Sequence, residues 1–246
     1  MTGALSVLVR PATGPVAGTI VLLHGIQGTA LAWTEVMARL PAKYAAVAPN
    51  LRGRGGSPAP DDPGCYTIEH FGVDVSGMID LLAGPIWLCG WSMGVLAALA
   101  HVRARGTRGL SGLILASGTA RPAPDAQWFT GDTVEAIGRE AAVRAQSLAL
   151  TESAPAAAIT GAWFAAQKAD FTDLLGTIDI PTLVIHGRSD DQCPSAHGRA
   201  MAAAIPGARL DMWDDAGHNP MKHDPQRFAD AVAGFIASAP AAGNAR

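Results

Sequence analysis

The chain has 246 residues, of which 49% are hydrophobic and 16% charged, and its formal net charge is −3. This length and composition are typical of one large globular domain, and the charge excludes a broadly basic nucleic-acid surface or a polybasic membrane patch. The three cysteines have no paired spacing, which speaks against a disulfide framework and fits a reducing compartment. With no long apolar run and no signal-peptide pattern, the sequence predicts a cytoplasmic protein.

Short apolar runs alternate with helical patterns along most of the chain. Strands are predicted over residues 5–9, 19–23, 45–49, 86–89, 113–116, 182–186 and 208–213, and helices over 31–40, 67–82, 92–105 and 225–237. Runs without apolar–polar alternation, such as 19–23, indicate strands buried on both faces. Strands that alternate with helices predict a mostly parallel sheet covered on both sides.

One segment, residues 119–176, interrupts this alternation because it has Ala-rich helical patterns and no clear strand. Its large aromatic residues are Trp128, Phe129, Trp163 and Phe164. We expect this segment to be a helical lid, inserted in a core domain formed by residues 1–118 and 177–246. The alternative is a set of ordinary surface helices.

The stretch with the clearest chemical meaning is Gly-Trp-Ser-Met-Gly at residues 90–94, between a strand and an Ala/Leu-rich helix. Two glycines let the strand and the helix approach closely, so that the turn exposes the Ser92 hydroxyl. The helix N-terminus favours negative charge at that point. This context predicts a nucleophilic serine. The alternative is a plain Gly/Ser loop before a helix.

Five landmarks stand out along the chain: His24-Gly25 after a buried strand, Arg52-Gly53-x-Gly55-x-Ser57, the turn at 90–94, Gly187-x-x-Asp190 and Gly217-His218. Taken together, they resemble the α/β-hydrolase family. They occur in family order along nearly the whole chain outside residues 119–176. The resemblance implies an α/β-hydrolase fold with a mostly parallel, doubly covered sheet. Trp91 and the short lid are similar to the carboxylesterase branch that includes pimeloyl-carrier methyl ester esterases.

The sequence departs from the family pattern at two positions. Asn50 stands where the family often has aspartate, at a position that is usually structural. Val95 stands where the family often has a second glycine, which implies a slightly different packing of the helix after the nucleophile.

A serine hydroxyl needs a base to become a nucleophile, and histidine is the usual base at neutral pH. Of the seven histidines, His218 follows the last predicted strand, in a turn that can aim its side chain back over the sheet. His223 is the alternative, at the start of the closing helix. His24 and His186 are expected to serve loop structure at strand ends, and the other three, His70, His101 and His197, are expected to lie in helices.

A carboxylate must orient the histidine, and in this fold the order along the chain is serine, acid, histidine. By resemblance the acid is Asp190, the third residue after Gly187. Asp191 is then a solvated neighbour, and Asp125 is a weaker candidate because some members of the fold place the acid after the previous strand.

The resemblance also implies an oxyanion hole made of the backbone N–H groups of Ile26 and Met93. A tentative apolar pocket is assigned to Gln27, Trp91, Trp128, Trp163 and Phe164. For each aromatic residue the alternative is ordinary core packing.

The sequence therefore predicts a serine hydrolase that cleaves a small or medium apolar carboxylic ester, with a small molecule as its partner and without a cofactor. The histidines and aspartates show no recognised metal-ligand spacing, so no metal site is expected. Lactone opening, carbon–carbon bond hydrolysis and acyl transfer use the same triad and remain alternatives. Dehalogenases and epoxide hydrolases are disfavoured because they need aspartate at position 92. A non-catalytic ligand-binding homologue is the alternative from another class.

Overall fold

The computed structural model describes residues 4–147, 150 and 152–239. Seven strands form one sheet in the order β1-β3-β2-β4-β5-β6-β7. The strands are β1 Val7–Arg10, β2 Gly18–Leu23, β3 Tyr44–Pro49, β4 Ile86–Trp91, β5 Gly112–Ala116, β6 Thr182–Gly187 and β7 Arg209–Trp213. Only β1 is antiparallel to its neighbour within this sheet, and the other pairs are parallel. The expected fold class is therefore confirmed.

Helices cover both faces of the sheet. They are α1 Thr34–Arg39, α2 Ile68–Ile79, α3 Met93–Arg105, α4 Val134–Ser147, α5 Ala156–Ala166, α6 Thr172–Leu175, α7 Ala196–Ala204, α8 Pro220–His223 and α9 Pro225–Ser238, with 3-10 turns at Ala30–Trp33 and Pro63–Cys65. Strand β2 shows why its apolar run does not alternate. Val21 and Leu23 enter one hydrophobic cluster, whereas Ile20 and Leu22 enter the cluster on the opposite face.

The predicted elements are all present, with shifts of a few residues at their ends. The helix expected over 31–40 begins as a 3-10 turn and continues as α1. His223 lies in the separate short helix α8, not at the start of the closing helix as expected. Asp224 has a non-helical backbone and caps α9 by accepting a hydrogen bond from the Arg227 amide at 2.9 Å, so the two helices are distinct.

The inserted segment 119–176 contains helices α4, α5 and α6 and no strand in its described part. Helices α4 and α5 pack together. Gly161 of α5 lies so close to the turn before α2 that a methyl group there would be 2.0 Å from the Pro63 carbonyl oxygen. Helix α5 is thus packed closely against the turn at Pro63–Cys65.

Both departures from the family pattern have structural explanations. Asn50 joins two loops, because its Oδ1 accepts from the Ala30 amide at 2.7 Å and its Nδ2 donates to Ser6 Oγ at 2.9 Å. Val95 occupies the space beside Gly118, where an added methyl group would lie 2.4 Å from a Val95 methyl carbon. Glycine at 118 accommodates the larger residue at 95.

Candidate active site

Ser92 occupies a strained turn between β4 and α3. Its backbone has φ 56° and ψ −120°, a region that non-glycine residues rarely adopt. A methyl group on Gly90 would lie 2.3 Å from the Gly94 carbonyl oxygen, and one on Gly94 would lie 2.5 Å from the Leu23 carbonyl oxygen. Both glycines are therefore required by the close approach of strand and helix, as their pattern predicts.

Three side chains from different loops meet in one hydrogen-bonded line. His218 Nε2 lies 3.0 Å from Ser92 Oγ, and His218 Nδ1 lies 3.0 Å from each carboxylate oxygen of Asp190. All three residues are at least nine-tenths buried. The structure thus brings together the serine, acid and histidine that the sequence singles out, at distances suited to proton transfer.

Asp190 stays ionised in this environment. Burial acts to raise its pKa, but hydrogen bonds from His186 and His218, the charge of His218 and the Cys193 amide outweigh burial and hold the pKa well below its usual value. The amides of Gln192 and Cys193 donate to Asp190 Oδ1 at 3.0 and 2.8 Å. A charged Asp190 fixes the histidine tautomer with the proton on Nδ1.

His186 is a member of this network that sequence reasoning missed. Its Nε2 lies 2.8 Å from the Cys193 carbonyl oxygen and 3.2 Å from Asp190 Oδ2. Because both partners are acceptors, Nε2 carries a proton. The expected role in loop structure is correct, because His186 binds the loop that carries Asp190 through the Cys193 carbonyl oxygen. His186 also contacts the Asp190 carboxylate itself. Its spacing of four residues from Asp190 was the available signal.

The alternative acids and base lie elsewhere. Asp191 is exposed, and its charge acts on Arg144. Asp125 is exposed beside a separate surface groove that His197 also lines. His223 is exposed, 3.4 Å from Asp215. Within the described residues, no group of three or more His, Cys, Asp or Glu side chains is placed to hold a metal ion.

The two backbone amides expected to form the oxyanion hole belong to Met93, which directly follows Ser92 in the chain, and to Ile26. Met93 is the first residue of α3, where helix amides lack partners within the helix, and Ile26 lines the same pocket as Ser92. In the described part of the chain, neither the Ile26 nor the Met93 amide donates a hydrogen bond to another protein group. Both are thus available to a ligand.

A pocket of about 200 Å³ opens over Ser92 and His218. Its other walls are Ile26, Gln27, Gly28, Thr29, Leu31, Ala32, Trp91, Arg144, Leu150, Glu152, Asn219 and Lys222. Trp91 also supports the catalytic histidine candidate, because its Nε1 donates to the His218 carbonyl oxygen at 2.8 Å and its ring lies 5.5 Å from the imidazole. This volume lies below the roughly 300–1,000 Å³ of typical ligand pockets, so the pocket suits a small ligand.

Comparison with known proteins identifies the family. Residues 20–231 match the alpha/beta hydrolase family. The chain belongs to this family.

Among its relatives is a pimeloyl-[acyl-carrier protein] methyl ester esterase of Neisseria meningitidis serogroup A, 26% identical, with 88% of this chain and 76% of the relative aligned. Another is 3-oxoadipate enol-lactonase 1 of Acinetobacter baylyi, 27% identical over 84% of each chain. A solved esterase from Rhodococcus sp. ECU1013 has a TM-score of 0.79 and 24% identity, with 96% of each chain covered, and it supports the fold.

The predicted pocket residues divide into two groups. Gln27 and Trp91 line the pocket over Ser92. Trp128 and Trp163 pack against each other, with ring centroids 5.4 Å apart, and are buried in the core. Phe164 faces a different groove beside α2. None of these three is among the residues that line the pocket over Ser92.

The insertion nevertheless contributes to the pocket through other residues. Arg144 from α4 lines it, together with Leu150 and Glu152. The Arg144 guanidinium lies over the Phe129 ring at 5.5 Å and donates to the Trp128 carbonyl oxygen at 3.2 Å. Burial lowers the pKa of Arg144, whereas Asp191 and Asp190 act to raise it. Phe129 and Trp128 therefore hold Arg144, which forms part of the pocket wall.

Proposed function

We propose that this chain is a serine hydrolase that cleaves a small or medium apolar carboxylic ester through an acyl-enzyme. The observation that carries the proposal is the buried line from Ser92 through His218 to Asp190, with 3.0 Å at each contact. Membership of the alpha/beta hydrolase family supports it.

In this mechanism Ser92 Oγ attacks the ester carbonyl carbon while His218 Nε2 takes the hydroxyl proton. The amides of Ile26 and Met93 stabilise the oxyanion that forms. His218 then gives the proton to the departing alcohol, and Asp190 stabilises the imidazolium throughout. Water, activated by His218, attacks the acyl-enzyme and releases the acid and Ser92.

The pocket supports the proposed substrate class. A volume of about 200 Å³ suits a small acyl or alcohol group. Apolar side chains from two parts of the chain, Leu31 and Leu150, contribute to its lining. We further propose that residues 119–176 cover the pocket as a lid, because Arg144, Leu150 and Glu152 come from this segment.

The proposal is tested with a fluorophosphonate probe and a series of p-nitrophenyl esters of increasing acyl length. We expect labelling at Ser92, hydrolysis of the shorter esters, and loss of both in Ser92→Ala. Peptide mapping that placed the label on another residue would contradict the nucleophile. A folded wild type that neither reacts nor hydrolyses any ester would favour the ligand-binding alternative.

Lactone hydrolysis is a second candidate, favoured by the enol-lactonase of Acinetobacter baylyi among the relatives. The same residues would open a lactone, with the alcohol retained in the product. Measuring kcat/KM for matched pairs of lactones and open-chain esters distinguishes the two. A consistent preference for the lactone would select this candidate.

A further inference from the structure

Two buried side chains behind the active site have no role in the mechanism above. Arg54 is only 1% exposed and His24 is fully buried. Within the described residues no carboxylate forms an ion pair with Arg54. Arg52, two residues earlier, is held by both oxygens of Asp74 at 2.7 and 2.6 Å. A buried guanidinium without a carboxylate is costly, so its contacts need an explanation.

The three side-chain nitrogens of Arg54 all donate hydrogen bonds to backbone carbonyl oxygens. Its Nε and Nη2 both donate to the Ile26 carbonyl oxygen, at 3.2 and 2.6 Å, and Nη1 donates to the Arg52 carbonyl oxygen at 2.9 Å. The guanidinium also lies over the Phe71 ring at 5.1 Å. Burial lowers its pKa to about 9, which still leaves Arg54 charged at neutral pH. The planar guanidinium thus holds the Ile26 carbonyl oxygen. Ile26 lies in the loop of residues 24–28 after β2, the oxyanion loop, which carries one of the two proposed oxyanion donors.

His24 holds the preceding carbonyl of the same loop. The Leu51 amide donates to His24 Nε2 at 3.0 Å, so this nitrogen is the acceptor. His24 Nδ1 therefore carries the proton and donates to the Gly25 carbonyl oxygen at 2.8 Å. Burial and the nearby Arg54 charge lower the pKa of His24 to about 3, so the neutral tautomer persists.

These two contacts bear directly on the Ile26 amide. The Gly25 carbonyl and the Ile26 N–H belong to one peptide unit, and in a trans peptide they point in opposite directions. Holding the carbonyl against His24 therefore turns the Ile26 N–H away from His24. Arg54 fixes the following peptide unit, and the Gln27 carbonyl is bound in turn by the Ala154 amide at 3.2 Å. Three successive carbonyls are thus bound, while the Ile26 amide has no protein acceptor within the described residues.

We propose that Arg54 and His24 are positioning residues that hold the Ile26 amide as an oxyanion donor. The inference rests on the proposed serine hydrolase mechanism. A donor that is fixed before the reaction needs no reorganisation as charge develops on the substrate oxygen. Without the two contacts, the peptide between Gly25 and Ile26 can rotate and turn its N–H away. Substrate binding would then be retained while stabilisation of the tetrahedral intermediate is lost.

The test compares Arg54→Met with Arg52→Met, a matched change in the same turn that does not touch the oxyanion loop. Three quantities are measured: kcat per active site titrated with a fluorophosphonate, KM for a short p-nitrophenyl ester, and Ki for a trifluoromethyl ketone that mimics the tetrahedral intermediate. For Arg54→Met we expect kcat to fall about 10- to 100-fold, less than the loss of a whole oxyanion donor. Ki should rise by a similar factor while KM changes little. Arg52→Met should leave kcat and Ki close to wild type.

If Arg54→Met folds poorly, Arg54→Lys keeps the charge and most of the stem but lacks the planar fork. It should show the same paired change in kcat and Ki. The proposal is overturned if both Arg54 variants match Arg52→Met in kcat per titrated site and in Ki, since the side chain is then only packing. A wild type that neither hydrolyses esters nor is labelled at Ser92 overturns the proposed function, and this inference with it. A hydrolysing wild type with unaffected Arg54 variants overturns this inference alone.

Discussion

The loops at the carboxyl ends of the strands and the inserted segment 119–176 both border the pocket, but they are built differently. The loops are held by buried hydrogen bonds to named atoms, such as those from His218 and the Cys193 amide to Asp190. The interior of the insertion is formed by apolar packing, such as that of Trp128 on Trp163, and hydrogen bonds such as that from Gln27 Nε2 to the Ala141 carbonyl oxygen at 2.7 Å add to its attachment. Directional bonds fix atoms to within tenths of an ångström, whereas packing fixes surfaces.

This difference separates residues that take part in the reaction from residues that stabilise the fold. Changes in the strand-end loops should reduce the rate and leave the fold intact. Changes in the aromatic core of the insertion should reduce stability and leave the chemistry intact. Substrate preference should depend on the few side chains that reach the pocket from either region.

The largest expected effect separates the two adjacent carboxylates of the acid loop. Asp190→Asn keeps the shape but removes the negative charge and replaces one acceptor oxygen with an NH2 donor, which favours the wrong His218 tautomer. We therefore expect kcat to fall about 10⁴-fold. Asp191→Asn, at an exposed position, is the matched control and should stay within a few-fold of wild type. Kinetics on one short ester measure both. Equal losses, or a larger loss in Asp191→Asn, would move the orienting role to Asp191.

Next is the aromatic core of the insertion. Trp163 is 1% exposed, and Trp163→Ala should lower the free energy of unfolding by about 3–5 kcal/mol through a cavity. Chemical denaturation measures this loss, with half-buried Phe164→Ala as the milder control. The order of preference among esters should be unchanged in the fraction that folds. A shifted preference would restore the sequence-based expectation that Trp163 selects the substrate.

A pH effect of intermediate size tests the neutral state of His24. Its pKa of about 3 lies below the ordinary value of 6.5, so the unfolded chain binds a proton that the folded chain does not between these limits. Stability should therefore fall as pH is lowered from 6.5, by up to about 1.4 kcal/mol per unit from this residue. Burial also lowers the pKa values of His101 and His197, which adds to the slope.

His24→Gln isolates the contribution of His24, with the exposed His70→Gln as control. Measurements between pH 5.5 and 6.5 avoid the carboxylates, because the stability that comes from the lowered pKa values of Asp190 and Glu140 begins to be lost only at about pH 5. The slope should be shallower in His24→Gln and unchanged in His70→Gln. Parallel slopes in all three proteins would show that His24 is protonated in the folded state.

The smallest expected effect concerns the pocket wall. Leu31 lines the pocket and is 46% exposed, so Leu31→Ala should barely change stability. It should alter the relative kcat/KM for esters that differ by one or two methylenes. The change corresponds to a difference of about 1–3 kcal/mol in transition-state binding free energy. Leu81→Ala, at a surface position 85% exposed and outside the pocket lining, is the control. An ester profile identical in the two variants would place the acyl group away from Leu31.

The sequence by itself determined the features that depend on short stretches of chain. Apolar runs without alternation marked β2 and β4, because each strand feeds a hydrophobic cluster on both faces. The two glycines around Ser92 marked the strained turn, because no side chain fits between strand and helix there. The order of the landmarks then indicated Asp190 and His218, which the structure brings to Ser92.

Only the tertiary structure decided the contacts between distant residues. The hydrogen bonds from Arg54 to the Ile26 carbonyl oxygen and the burial of Trp163 away from the pocket have no local signal. An aromatic side chain in an inserted helix packs equally well on a ligand or on a neighbouring helix, as far as its own sequence shows. The choice depends on which surfaces the fold brings within van der Waals distance, and here helix α5 meets the turn before α2 closely enough to exclude even a methyl group at Gly161.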